Sequence, residues 1–240
     1  MLWTWYDAKV VDIQRAAPQV KRLFLEVQTE QPFVYKAGQF VTLDLPISDK
    51  RLQRWRSYSI ASACNTLTTN VIELCVVRMP EGKGSTYLCE QVAIGDTLRF
   101  KGADGTFHFA AVPPQNIVLI GTGTGVAPLR AMLQELCATD GFAAHRVHLI
   151  FGTRTEADLL YADEFRALAE AKNNFKYDIA LSRQQKTGYY EGHLHQIYEQ
   201  NLDITATYYI CGWKNMIDEA VQRLTDGGVP SAQIHYELYG

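Results

Sequence analysis

Two segments of this 240-residue chain, Arg56-Ser57-Tyr58-Ser59 and Gly121-Thr122-Gly123-Thr124-Gly125-Val126-Ala127-Pro128, combine residue types suited to two different phosphate-binding devices. A guanidinium forms forked pairs with pyrophosphate oxygens, and in the first segment it stands next to a flat ring and two hydroxyls. The second segment follows an apolar run and enters a helical pattern, where unpaired N–H groups and the positive end of the macrodipole attract phosphate. Its glycines keep Cβ atoms clear of an approaching pyrophosphate, and Pro128 suits a first helical turn because it needs no N–H partner there. Gly-x-Gly-x-Gly departs from the common Gly-x-Gly-x-x-Gly fingerprint, so the flanking strand and helix carry as much of the reading as the glycines do.

These segments need elements to position them. Up to about residue 110 the apolar residues come in short runs between turn signals: Ala8 to Ile13, Val20 to Val27, Gln39 to Leu45, Val71 to Val77 and Thr97 to Phe100. That half reads as an antiparallel β-barrel. Val112-Pro113-Pro114-Gln115 interrupts the pattern with two residues that cannot donate backbone hydrogen bonds, predicting a first domain over 1–111, a linker over 112–115 and a second domain over 116–240. In the second domain Asn116 to Ile120, Val147 to Phe151, Tyr177 to Leu181, Tyr208 to Cys211 and Ile234 to Leu238 recur about every 30 residues, the length of a βαβ repeat. Amphipathic segments between them, such as Pro128 to Ala138 and Asp163 to Ala171, predict an α/β domain built on a parallel five-stranded sheet with helices on both faces. Ligands gather at the carboxyl ends of such strands, which singles out Gly121 to Gly125, Gly152-Thr153-Arg154, Ser182-Arg183 and Gly212.

Composition removes several function classes. An apolar fraction of 47% with 20% charged residues is that of a soluble globular protein, and no apolar run is long enough for a membrane span. The start, Met1-Leu2-Trp3-Thr4-Trp5-Tyr6, lacks the basic and apolar regions of a secretory signal and predicts a cytoplasmic protein. Cys64, Cys75, Cys89, Cys137 and Cys211 are scattered, with no C-x-x-C pair to hold zinc or an iron–sulfur cluster. A net charge of -3 argues against nucleic acid as a partner. Lys50, Arg51, Arg54 and Arg56 form a local basic cluster, open to three readings: a solvated loop, a docking surface for an acidic partner, or cofactor contact.

Taken together, the motifs resemble the ferredoxin–NADP reductase superfamily over essentially the whole chain. They occur in order: Arg56-Ser57-Tyr58-Ser59 continued by Ile60-Ala61-Ser62, Leu74-Cys75-Val76-Val77-Arg78, Gly82-Lys83-Gly84-Ser85-Thr86-Tyr87-Leu88, and Gly95-Asp96. The glycine turn, Ser182-Arg183, Cys211-Gly212-Trp213-Lys214-Asn215-Met216 and Tyr236-Glu237-Leu238-Tyr239 follow. The resemblance implies an FAD-binding barrel followed by a domain for a nicotinamide dinucleotide, with no fused iron–sulfur domain.

Carried over position by position, the resemblance has Arg56 hold the FAD pyrophosphate with Ser57 beside it, Tyr58 pack on the isoalloxazine and Ser59 lie close to flavin N5. Cys75, Val76 and Val77 border the ribityl or adenosine part, and Lys83, Gly84 and Ser85 complete the pyrophosphate site. Gly121, Thr122, Gly123, Thr124 and Gly125 receive the nicotinamide dinucleotide, with Thr153 and Arg154 at the next strand end. Ser182 and Arg183 grip the 2′-phosphate that separates NADPH from NADH; Lys186, Tyr189 and Tyr190 are further candidates. Cys211 and Gly212, with Met216 after them, sit against the nicotinamide, Glu237 supplies a nearby carboxylate, and Tyr239 matches a terminal tyrosine that covers the flavin, displaced by the extra Gly240. Bland readings stand beside these: Tyr58 as a half-buried barrel aromatic, Cys211 as buried packing, Arg183 as a surface arginine and Tyr239 as strand packing.

The implied activity is a hydride passed from NADPH to flavin N5 and electrons passed singly to a separate carrier protein such as ferredoxin or flavodoxin, by a monomer. Two rivals remain open: a reductase for free flavin or for an oxygenase component, and a non-catalytic FAD-binding subunit.

Overall fold

The computed structural model describes residues 4–64 and 70–239, apart from the side chain of Tyr239. It forms two compact units, one of residues 1–108 with Arg130–Glu135, the other of Phe109–Leu129 with Leu136–Gly240.

The first unit is built on strands β1 (Trp5–Ala17), β2 (Val20–Val27), β3 (Phe40–Asp44), β4 (Trp55–Ser59), β5 (Val71–Val77) and β6 (Thr97–Asp104). They form one antiparallel sheet in the order β4-β3-β6-β1-β2-β5. An isolated antiparallel bridge between Ile60 and Leu74 joins the two ends of that order, so the sheet closes on itself. Alternate residues point inward: Ala8, Val10, Leu23, Leu25, Val41, Leu43, Leu74, Val76, Leu98 and Phe100 fill the interior. One short helix, α1 (Arg51–Arg54), leads directly into β4; another, α2 (Lys83–Thr86), continues as a π turn over Tyr87–Gln91.

The five strand-like runs expected before the linker are all strands, and β4 is an addition to them. Arg56-Ser57-Tyr58-Ser59 is itself a strand. Its inward positions are an arginine and a tyrosine rather than two aliphatics, which hides the period-2 signal that marks its neighbours.

The second unit contains β7 (Asn116–Thr122), β8 (Arg146–Thr153), β9 (Phe175–Leu181), β10 (Tyr190–Glu191), β11 (Thr207–Trp213) and β12 (Ile234–Tyr239). All pairings are parallel, in the order β10-β9-β8-β7-β11-β12. The sheet is therefore six-stranded, not five-stranded. The extra strand is a two-residue edge pair, Tyr190 with Ala180 and Glu191 with Leu181, too short to leave a periodic signal.

Helices α3 (Val126–Ala138), α4 (Ala162–Ala171), α5 (His195–Glu199) and α6 (Lys214–Asp226) fill the crossovers. Ile197, Tyr198, Ile217, Ala220 and Leu224 of α5 and α6 pack with Val118, Ile120, Tyr208 and Ile210 on one sheet face. On the other face Phe165 of α4 meets the ring of Tyr177 at 5.3 Å, edge to face. No helix among the described residues is long and apolar enough to cross a membrane.

Candidate cofactor-binding sites

In the first unit, β4 pairs Arg56 with Leu43 and Tyr58 with Val41, so both side chains lie on the inward face of the sheet. Ser57 and Ser59 point to the other face, where the Ser57 hydroxyl is 3.0 Å from that of Thr42 and Ser59 is buried. Arg56 is half-buried, and its Nη1 donates to the carbonyls of Gln53 at 3.0 Å and Trp55 at 2.7 Å, which fixes the guanidinium where α1 meets β4. Tyr58 is half-buried against the barrel core, and burial pushes its phenol well above its usual range, keeping it neutral.

Opposite Arg56 comes the start of α2. A Cβ on Gly84 would lie 2.7 Å from Cγ of Arg56, so glycine lets this turn of backbone rest directly on the arginine arm. The first turn of a helix leaves its leading N–H groups without intrahelical acceptors, here those of Lys83, Gly84 and Ser85. Lys83 is exposed, while Ser85 is buried: its hydroxyl donates to Gly82 O and accepts from the N–H of Met79, both at 3.0 Å. The Ser85 side chain thus braces the turn that presents the amides. Cys75 and Val76 are buried in β5, and Val77 is half-buried at its end. A guanidinium, a lysine and a row of helix-start amides gathered beside a half-buried aromatic ring fit a dinucleotide diphosphate joined to a flat heterocycle, which is the chemistry of FAD.

In the second unit, Gly123–Gly125 makes one 3-10 turn between β7 and α3. A Cβ on Gly125 would lie 2.3 Å from the carbonyl oxygen of Cys211 and 2.7 Å from Cα of Gly212, so the turn sits flush against the end of β11. The Thr122 hydroxyl accepts from the N–H of Trp213 at 3.4 Å, and Thr124 is buried. Cys211 pairs with Gly121 on one side and Glu237 on the other. Its thiol is fully buried; desolvation, reinforced by the Glu237 carboxylate, pushes it well above the ordinary thiol range, so the sulfur stays protonated and is no nucleophile. Met216 reaches back over Gly212, where a Cβ would come within 2.9 Å of its terminal methyl.

Trp213 was not among the expected contacts. Its indole is about half exposed, at 47%, and lies alongside the turn, with Nε1 3.7 Å from where a Gly123 Cβ would be. Its signal was present in the sequence as an aromatic directly after Cys211-Gly212. Tyr239 pairs through its backbone with Trp213, whereas the Tyr239 side chain and Gly240 fall outside the described residues.

At the adjacent strand ends, Ser182 N donates to Thr153 O at 2.9 Å, Ser182 Oγ to the same oxygen at 3.3 Å, and Arg183 N to Arg154 O at 2.9 Å. These bonds lock the chain after β8 to the chain after β9 and hold Arg154 and Arg183 side by side in sequence register. Both side chains are exposed, and neither forms an ion pair with a described residue. Glycine-relieved backbone, two unpaired guanidinium groups and a hydroxyl at the carboxyl ends of parallel strands fit a phosphorylated nucleotide.

Known proteins place this architecture. The family described as an oxidoreductase FAD-binding domain matches residues 7–109, and that described as an oxidoreductase NAD-binding domain matches residues 119–222. Ferredoxin–NADP reductase B of Sorangium cellulosum is 35% identical over 245 residues, covering 98% of this chain and 97% of that protein. The phenol hydroxylase P5 protein of Acinetobacter pittii is 28% identical, and there the match covers 98% of this chain but 65% of the relative. Among solved structures, the Amycolatopsis cytochrome P450 reductase GcoB superposes with a TM-score of 0.88 at 27% identity, over 98% of this chain and 69% of that one. A Neisseria gonorrhoeae ferredoxin NADP+ reductase with bound FAD and NADP shares the fold, with a TM-score of 0.81 at 22% identity over 98% of both chains. Both domain families, in this order and over nearly the full length of a reductase relative, establish that the chain belongs to the ferredoxin–NADP reductase superfamily of FAD-dependent oxidoreductases.

Proposed function

We propose that the chain takes electrons from NADPH in preference to NADH and delivers them to ferredoxin or flavodoxin. The coarser activity, FAD-dependent electron transfer between NAD(P)H and a carrier protein, follows from family membership. The observation that carries the finer reading is the pair of exposed, unpaired guanidinium groups of Arg154 and Arg183 beside the Ser182 hydroxyl. A dianionic ribose phosphate satisfies that donor set, and a bare ribose hydroxyl does not.

FAD, when bound, supplies the redox chemistry, accepting a hydride at N5 and releasing electrons one at a time. The residues of the chain bind and orient. Arg56, with Lys83 and the amides of Gly84 and Ser85, would hold the diphosphate; Ser57, expected beside it, faces Thr42 on the other side of β4 and braces that strand instead. Tyr58 would lay its neutral ring against the isoalloxazine, with Ser59, buried next to it on the other face of β4, the proposed neighbour of N5. Cys75, Val76 and Val77 would border the ribityl or adenosine part. Gly121 to Gly125 and Gly212 admit the second dinucleotide to close backbone contact, with Thr153 at the next strand end. Cys211 would present a neutral, polarisable wall to the nicotinamide beside Met216 and Glu237.

The exposed segment Lys50, Arg51 and Leu52 is proposed to offer an acidic carrier protein a docking surface, while Arg54 is turned to the Asp44 carboxylate at 2.8 Å. The chain is proposed to work as a monomer in the cytoplasm, its domains parted at the 112–115 linker. Anaerobic stopped-flow absorbance tests the reading: flavin bleaching that is faster with NADPH than with NADH, followed by reoxidation on adding oxidised ferredoxin, is expected. Equal bleaching by both nucleotides refutes the selectivity, and bleaching without reoxidation by ferredoxin or flavodoxin refutes the acceptor and favours free flavin or an oxygenase component.

A further inference from the structure

Beyond Arg154 and Arg183, the loops after β8 and β9 carry a third cation in a different state. Lys186 Nζ is 2.5 Å from Oε2 of Glu156, which lies on the loop following β8. The other carboxylate oxygen of Glu156 accepts from the Tyr189 hydroxyl at 3.1 Å, and Tyr189 in turn accepts from Nη2 of Arg166 at 2.8 Å. The Glu156 N–H donates to Oε1 of Gln184 at 2.8 Å, so the two loops are tied by backbone and side chain alike. Glu156 is held rigidly: it opens a 3-10 turn capped by Thr155 and Asp158, whose side chains answer each other's backbone. Hydrogen bonds from Lys186 and Tyr189 hold the Glu156 carboxyl below the ordinary carboxylate range, so it is an anion at neutral pH.

The chain thus places three cations at these strand ends and neutralises one of them internally. Lys186 and Tyr189, a cation and a hydroxyl of the kind that grips a phosphate, are both engaged by a carboxylate of the same unit. A 2′-phosphate arriving here meets Arg154 and Arg183 unpaired, but must displace Glu156 from Lys186 and tolerate its like charge. A nucleotide with a free 2′-hydroxyl meets no such opposition.

Resting on the nucleotide reading above, we propose that Glu156 is a specificity-determining residue: by engaging Lys186 and Tyr189 it lowers the discrimination between 2′-phosphorylated and unphosphorylated nucleotides. Removing its charge releases Lys186 to the phosphate, and one charge-assisted hydrogen bond gained is worth about tenfold in affinity. Glu156 acts through Lys186, so its effect depends on that lysine.

The test is calorimetric titration of the FAD-loaded protein with 2′,5′-ADP and with 5′-AMP, for wild type, Glu156→Gln, Glu156→Asp, Lys186→Ala and the Glu156→Gln/Lys186→Ala pair. In Glu156→Gln the preference for 2′,5′-ADP rises about tenfold while 5′-AMP affinity holds, which also reports an intact fold. Glu156→Asp restores much of the wild-type ratio, and the Glu156→Gln effect disappears when Lys186 is absent. An unchanged or reduced ratio in Glu156→Gln, with wild type binding both ligands, overturns the inference and leaves the nucleotide reading intact. Failure of wild type to bind either ligand overturns the nucleotide reading, and the inference with it.

Discussion

Replacing Gly125 with alanine tests whether the seat of the glycine turn on β11 governs nucleotide binding. The added Cβ would stand 2.3 Å from the Cys211 oxygen, 2.6 Å from its carbonyl carbon and 2.7 Å from Cα of Gly212. Carbon atoms in contact ordinarily keep about 3.5–4.0 Å, so the turn must withdraw by about 1 Å. No side chain can rotate to relieve this, because all three atoms are backbone, and Cys211 and Gly212 are fixed between β7 and β12. Overpacking of this kind costs about 1–3 kcal/mol in stability. A shift of that size also moves the amides off the phosphate, and a loss of about 1.4–2.7 kcal/mol corresponds to an affinity weaker by about 10- to 100-fold.

The assay is calorimetric titration of Gly125→Ala with NADP+, with thermal unfolding followed by circular dichroism. Titration with FAD serves as the internal control, since Arg56 and Gly84 belong to the first unit and its affinity is expected to hold. NADP+ affinity within about twofold of wild type, with an unchanged unfolding midpoint, refutes the claim that the turn is seated by that close approach.

Three further outcomes are expected. Gly84→Ala drives its methyl onto Arg56, and fluorescence titration should show FAD binding weakened by about tenfold with NADP+ binding intact; equal weakening of both would point to general unfolding. Arg183→Ala should weaken 2′,5′-ADP by about tenfold and leave 5′-AMP nearly unchanged, whereas an equal loss for both would make Arg183 a bystander. Asp178, although burial opposes its charge, is held below the ordinary aspartate range by hydrogen bonds from His148 at 2.8 Å and Lys176 at 2.6 Å. A lowered folded-state value stabilises above the unfolded value of about 3.9 and is lost as pH falls through the folded one, so Asp178→Asn should cost about 1–2 kcal/mol at pH 7 and converge with wild type in acid. Urea titrations at the two pH values measure the difference, and a pH-independent gap would rule out this charge linkage.

The parts of the fold that could be read from the sequence share a physical cause. Val20 to Val27 and Asn116 to Ile120 are aliphatic runs bounded by turns, where period and propensity agree, and both became strands close to the expected limits. β4 was legible as a motif but not as a strand, because Arg56 and Tyr58 occupy positions where its neighbours carry aliphatics. β10 exists only because the chain after Gly188 passes the edge of β9, a tertiary fact without a local signature. The candidate site divides in the same way. Gly121 to Gly125, Cys211, Gly212 and Met216 converge through strand register, which the βαβ spacing anticipates. Lys186 and Tyr189 are candidates only through the resemblance, and their tie to Glu156 joins two loops far apart in sequence and required the fold.

The bridge between Ile60 and Leu74 gives the barrel a seam of unequal strength. β1, β2, β3 and β6 meet their neighbours through ladders several residues long, whereas β4 and β5 meet through that bridge, the bonds from Ala61 N to Glu73 O and from Glu73 N to Ser62 Oγ, and the buried Arg130 guanidinium, which donates to both Ala61 O and the Glu73 carboxylate. The residues proposed to hold FAD stand on both borders of the seam, Arg56 and Tyr58 on one and Cys75 to Val77 on the other, so on that proposal bound flavin would span it. The ligand would therefore be a fastener as well as a reagent. Opening the barrel at this line would then require letting it go, so binding would raise the cost of opening by mass action, about 2.7 kcal/mol at a hundredfold excess over Kd. Amide exchange at Ile60 and Leu74 would then serve as a gauge of flavin occupancy.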